Sequence, residues 1–169
     1  MAIITLNNNS ISNITSLPTG VGGKVLQVVS VTKDSTFTTT SGTFVDVTGL
    51  SASITPSSAS NKIAVLYNVS VSNVTSTAAT LTRLLRDSTP ISIGASGTGV
   101  QASSHAAPND FDQSNASISY LDSPSTTSAI TYKVQIKTEP SYTATLNRGQ
   151  LDGNYGLTAS TITLMEVSA

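Results

Sequence analysis

The chain has 169 residues, 10% of them charged, with a formal net charge of −1 and no cysteine. That length suits one domain, with or without an arm. The charge leaves no electrostatic footprint for nucleic acid or an anionic membrane, and the missing cysteines exclude disulfide staples and thiolate chemistry. Serine and threonine make up about a third of the residues, so hydroxyls rather than charges solvate the surface.

The first ten residues, MAIITLNNNS, lack a basic region followed by a long apolar core, so no signal peptide is evident. No apolar run approaches the ~20 residues of a membrane span. The expectation is a chain that folds in a reducing cytoplasm without membrane insertion. Ile4 and Leu6 alternate briefly before a turn at Asn7–Ser10. Ile11, Ile14 and Leu17 then recur every third residue, and Pro18–Gly23 has linker composition. Residues 1–23 read as an N-terminal arm and Gly-rich hinge, with Ile4, Leu6, Ile11, Ile14 and Leu17 as anchors. The plainer alternative is a first strand followed by a loop.

From Lys24 strand signals are dense. Lys24–Thr32 is apolar and β-branched. Thr36–Thr40 and Thr43–Val47 follow, with Ser41-Gly42 as a hairpin turn between them. Leu50, Ala52 and Ile54 alternate up to Pro56, and Ser57–Asn61 is a loop. Ile63, Val65, Tyr67, Val69 and Val71 share one face of a long strand. Its second face is mixed, carrying Lys62, Ala64, Leu66, Asn68 and Ser70, and with Ala64 and Leu66 it suits a subunit interface. Thr80–Arg86 is a strand, Asp87–Pro90 a turn, and Ile91 and Ile93 begin a short strand. Residues 94–115 form the least regular stretch, a long loop of the sort that contacts partners. Ile118 and Tyr120 resume the sheet. Tyr132, Val134 and Ile136, then Ile162 and Leu164, alternate as half-buried antiparallel strands. Eight to ten short strands and no helix beyond two turns predict an all-β antiparallel β-sandwich or jelly roll over residues 24–169.

Catalytic grammar is sparse. His105 is the one histidine. Its neighbour Ser104 makes a poor nucleophile partner, because adjacent residues usually point apart. The stretch Asn109-Asp110-Phe111-Asp112-Gln113-Ser114 places oxygen ligands at alternating positions, but without an EF-hand pattern; a polar turn is the better reading than a calcium site. Gly94, Gly97 and Gly99 lack the order and the following helix of a phosphate loop. Nothing in the spacing pairs Asp46, Asp87, Asp122, Glu139, Asp152 and Glu166 as a glycosidase would require. Asn-x-Ser/Thr triplets at Asn68 and Asn73 arise by chance in a hydroxyl-rich chain. Tyr67, Tyr120 and Tyr132 suit core or interface positions. The expectation is no enzyme, no metal and no cofactor.

Three segments carry a resemblance: GGKVLQVVSVTKDSTFTTTSGTFVDVTGLSASITPSSASNKIAVLYNVSVS, YLDSPSTTSAITYKVQIKT and STITLMEVSA. Together they resemble small fibre and surface-decoration proteins of tailed bacteriophages, especially of cyanobacterial and marine hosts. The resemblance implies a trimeric jelly-roll tip of tumour-necrosis-factor-like type, behind an N-terminal segment that docks on the virion. The short arm, with no shaft or heptad region after it, departs from a long tail fibre.

The resulting expectation is a non-enzymatic phage virion protein: a short homotrimeric knob on the virion surface, assembled in the bacterial cytoplasm. It docks on other virion proteins through residues 1–23. Its exposed loop, with His105, Asn109, Asp110, Phe111 and Asp112, would face a host glycan or receptor. Capsid decoration or a head fibre is the alternative within that class. A carbohydrate-binding module is the alternative outside it, and a hydrolase is disfavoured by the scarcity of acids and histidine.

Overall fold

A computed structural model describes residues 24–73, 78–107, 112–149 and 156–169. Expectations placed on residues 1–23, and on Asn109, Asp110 and Phe111, lie outside the described residues. The described residues contain eleven strands in the chain order β1 (Val25–Lys33), β2 (Phe37–Thr39), β3 (Val45–Ile54), β4 (Lys62–Asn73), β5 (Thr80–Arg86), β6 (Thr89–Ile91), β7 (Ser104–Ala106), β8 (Ser114–Asp122), β9 (Ile130–Thr138), β10 (Ala144–Leu146) and β11 (Ser160–Val167).

Two antiparallel sheets face each other. In the first, β4 is central: β8 pairs along one edge, and β11 and β10 share the other. β1 and β2 continue outward from β11 and β10 respectively. In the second, the order is β3-β9-β5, with β6 and β7 both on the outer edge of β5. The main strands thus run β1-β11-β4-β8 in one sheet and β3-β9-β5-β6/β7 in the other. Splitting eight strand positions between two sheets in this way gives the jelly-roll arrangement.

The core follows the period-two pattern. Ile63, Val65, Tyr67, Val69 and Val71 of β4 face Tyr132, Val134 and Ile136 of β9 and Leu84 of β5 across the sandwich, with Ile162 and Leu164 beside them. Alternation puts one set of side chains inward on every strand, because successive residues point to opposite faces. The Tyr67 hydroxyl reaches Thr82 Oγ1 at 2.7 Å, and burial pushes its pKa up to about 12. Tyr132 is fully buried and Tyr120 packs against the core, as the sequence implied for both.

Three expectations need correction. β2 and β3 lie in different sheets, so Ser41-Gly42 is a crossing between layers and not a hairpin turn. Ser41 carries that crossing: its hydroxyl donates to Thr43 O at 2.6 Å, and its carbonyl accepts Thr138 N at 3.0 Å. The expected turn at Asp87–Pro90 shrinks to Asp87-Ser88, because Arg86 pairs with Thr89. Pro90 is tolerated inside β6 because β6 is an edge strand. Finally, the expected runs Thr43–Val47 and Leu50–Ile54 merge into one strand, β3, which begins at Val45 and is interrupted by a register slip between Asp46 and Ser51.

Gly49 makes that slip possible. It sits at φ +83°, where L side chains are disfavoured, and it lets Val47 and Leu50 both turn into the core. Gly49→Ala is expected to cost about 1–2 kcal/mol, read as a lower urea midpoint. An unchanged midpoint would show that the slip does not need glycine.

Candidate interaction face

The two outer faces of the sandwich differ in chemistry. On the β3-β9-β5 face charges are interlaced. Lys133 Nζ lies 2.7 Å from Asp46 Oδ2, and Gln135 Nε2 donates to Asp46 Oδ1 at 2.6 Å. Arg83 donates to Gln135 Oε1 at 2.7 Å and stacks 4.0 Å from the Phe44 ring centroid. Hydrogen bonds from Lys133 and Gln135 hold the Asp46 carboxyl below its ordinary value. This is the solvated face expected of an antiparallel sheet.

The outer face of β1-β11-β4-β8 is the opposite. Register aligns its side chains in rows across the strands. One row reads Val28, Met165, Ala64, Leu121. Beside it lie Val25 and Val167, ending at Lys62. The next rows are Ser30, Thr163, Leu66, Ser119, and then Thr32, Thr161, Asn68, Ser117. Lys62, at the rim, is the single charged side chain in these rows. Val25, Val28 and Leu121 are 55%, 57% and 51% exposed. Ser30 and Thr163 bond to each other at 2.9 Å. A shallow open depression of about 400 Å³ lies in the hydroxyl rows, lined by Leu66, Asn68, Thr161, Thr163 and Met165 among others. Apolar residues scattered singly on a surface need no explanation; here they stand in one row bordered by hydroxyls.

Ala64 and Leu66 stand on this face, where the sequence assigned them. Val28, Met165 and Leu121 were missed. Each is unremarkable within its own strand, and only the pairing of four strands aligns them.

The loop residues are placed differently from expectation. His105 is exposed, but it belongs to β7 rather than to a loop, paired opposite Leu81. β7 and β8 together break residues 94–115 into shorter pieces, because β5 has a free edge beyond β6 for Ser104–Ala106 to fill. Residues 94–100 are exposed and leave from the side of that edge, with Gly94 N bonded to Ala102 O at 3.2 Å. Asp112 is exposed just ahead of β8. Ser104 and His105 are successive in an extended strand, so they point to opposite faces.

Among the described residues the carboxylates have separate partners. Asp122 on β8 accepts both Arg86 Nη1, at 3.0 Å to each oxygen, and the Tyr132 hydroxyl at 2.6 Å. Glu166 is sealed at the end of β11 among neutral donors from Gln27, Ser57 and Asn61. Glu139 accepts Ala79 N. Asp152 lies outside the described residues. Among the described residues no group of three or more histidines and acids could hold a metal.

No family model and no curated protein matches the chain. Solved structures from infectious bursal disease virus are similar in shape. A structure of its Gx strain matches at 13% identity and TM-score 0.47, over 99% of this chain and 44% of that chain. The crystal structure of its T13 viral particle matches at 14% and 0.48, over 99% and 41%. The crystal structure of its VP2 subviral particle matches at 12% and 0.47, over 83% and 38%. The chain therefore spans less than half the length of each of these chains.

Proposed function

We propose that this chain is a non-enzymatic phage virion structural protein, a short trimeric knob that packs against neighbouring subunits through the β1-β11-β4-β8 face. The observation that carries the reading is the contrast between the two outer faces. One is laced with charge; the other has an apolar row running across all four strands. A face built that way loses little on desolvation, because Ser30 and Thr163 bond to each other and Lys62 is the one charged side chain in its rows. The fibre-like segments quoted above support a particle protein, and closed cyclic symmetry is the usual outcome for identical subunits. Residues 1–23 reach neighbouring subunits of the particle, and the exposed segment at 94–100 is left for the host or solvent.

The test is light scattering on the full chain and on a Val28→Asp, Leu121→Asp double variant. The wild type is expected to have the mass of a trimer and the double variant that of a monomer, with unchanged circular dichroism. Ser53→Asp, on the charged face, is expected to leave the trimer intact. A monomeric wild type would overturn the reading.

A further inference from the structure

We infer that an internal water molecule is a fixed part of this fold, bound between the two sheets by Asn73, Thr80 and Thr138. Three strands bring these side chains together. Asn73 ends β4 in the first sheet; Thr80 opens β5 and Thr138 ends β9 in the second. Thr80 and Thr138 are directly opposite in the β5–β9 register, and all three residues are at most 1% exposed. Asn73 reaches across the sandwich: its Nδ2 donates to Thr80 Oγ1 at 3.1 Å and to the Ala78 carbonyl. Among the described residues, Asn73 Oδ1 and Thr138 Oγ1 have no hydrogen-bond partner, and both atoms are sealed from bulk solvent. The amide cannot turn over to relieve this. A carbonyl only accepts, so Ala78 O holds the nitrogen side, and the atom left over is the oxygen. A buried polar atom in that position calls for a partner.

The chemistry of the cluster selects the occupant. Asn73 Oδ1 needs a donor. The Thr138 hydroxyl can donate or accept, and Thr80 keeps its own proton after accepting from Asn73. Water donates to the amide oxygen and accepts from the hydroxyls, which makes the about three hydrogen bonds usual for a buried water. A cation would meet no carboxylate here. Glu139, next in the chain, is exposed, and its Oε1 accepts Ala79 N at 3.4 Å. A charge buried among neutral oxygens is unfavourable. The packing leaves room for a small guest. Elsewhere Tyr67, Leu84, Tyr132 and Ile136 fill the space between the sheets. At this level the neighbours are small: Ala144 is opposite Asn73, and Ala106 is opposite Thr80, both buried. Packed sheets stand ~10 Å apart, so short side chains from both layers do not close that distance. The water then ties β4 to β5 and β9, at the opposite end of β4 from Asp122.

Crystal structures and urea midpoints of the full chain and of two variants test this. The wild type is expected to show a solvent peak within ~3.2 Å of both Asn73 Oδ1 and Thr138 Oγ1. Thr138→Val keeps the shape of the side chain and removes the hydroxyl. With the water bound, that change takes away one of its partners, so the peak is expected to vanish and the midpoint to fall. Thr138→Ser keeps the hydroxyl and is expected to keep the peak. The opposite sign overturns the inference: a methyl in place of an unpaired buried hydroxyl leaves the midpoint unchanged or raises it. A peak with oxygen contacts of about 2.0–2.6 Å is a metal ion and overturns it as well. A direct hydrogen bond between Asn73 and Thr138, with no peak, does the same. The wild-type peak is read whether or not the valine variant folds. None of these outcomes bears on the assembly reading, which light scattering decides separately.

Discussion

Glu166→Ala is expected to cost about 3 kcal/mol of stability, read as a lower urea midpoint at pH 7. The Glu166 side chain is out of contact with solvent, beneath the loop between β3 and β4 at one end of the sandwich. It accepts hydrogen bonds from Gln27 Nε2 at 2.6 Å, Ser57 N and Ser57 Oγ at 2.7 Å each, and Asn61 Nδ2 at 2.6 Å. Those donors come from β1 and from the loop, so one carboxylate ties both to β11. Alanine leaves them without an acceptor, and an unmade hydrogen bond costs more than a made one contributes.

The same site sets an acid dependence. Burial pushes the Glu166 pKa up, but the donors from Asn61, Gln27 and Ser57 outweigh it and bring the carboxyl down to about 2, from an ordinary value of 4.5. The folded value is the lower one, so the stabilisation is complete above about pH 4.5 and is lost as pH falls towards 2. Glu166→Gln presents an amide nitrogen to a nest of donors, and is expected to be less stable than wild type at pH 7. The gap is expected to close between pH 4.5 and 2. A gap that does not change with pH would show that the charge of Glu166 contributes nothing.

The second large effect is expected at Asp122, where alanine costs about 3 kcal/mol. Asp122 belongs to β8 in one sheet, while Arg86 and Tyr132 belong to β5 and β9 in the other. Their hydrogen bonds to Asp122 are therefore ties between the layers at one end of the sandwich. Burial first, and the Asp122 carboxylate second, push the Tyr132 hydroxyl well above its ordinary range, so it stays a neutral donor. Truncating Asp122 strands that hydroxyl in the core and leaves the Arg86 guanidinium unpaired. Tyr132→Phe removes donor and bond together without leaving the acceptor unpaired, because Arg86 still serves Asp122; it is expected to cost about 1 kcal/mol. A double-mutant cycle over Asp122 and Tyr132 should give coupling of about 1 kcal/mol. Independent effects would mean that the two act separately.

The strands were legible where alternation was uninterrupted. The buried face of β4 could be read from Ile63, Val65, Tyr67, Val69 and Val71 because a period of two has only one buried register. The interruption of β3 at Gly49 was not legible, since a slip and a turn leave the same short apolar runs on either side. Nothing in the spacing pairs the carboxylates, and pairing across a sheet is not legible in sequence; among the described residues Asp46, Asp122, Glu139 and Glu166 have separate partners. Their structural partners were hidden, because Asp122 and Arg86 are 36 residues apart and Glu166 and Ser57 are 109 apart.

The sequence alone determined that this chain is antiparallel and all-β, with its core faces fixed by alternation. Those properties are local: each side chain's face follows from its neighbours two residues away. Only the tertiary structure decided that Phe37–Thr39 and Val45–Ile54 go to different sheets, and that Val28, Met165, Ala64 and Leu121 stand in one row. Such a row is set by hydrogen-bond register between strands far apart in the chain, and no window of the sequence contains it.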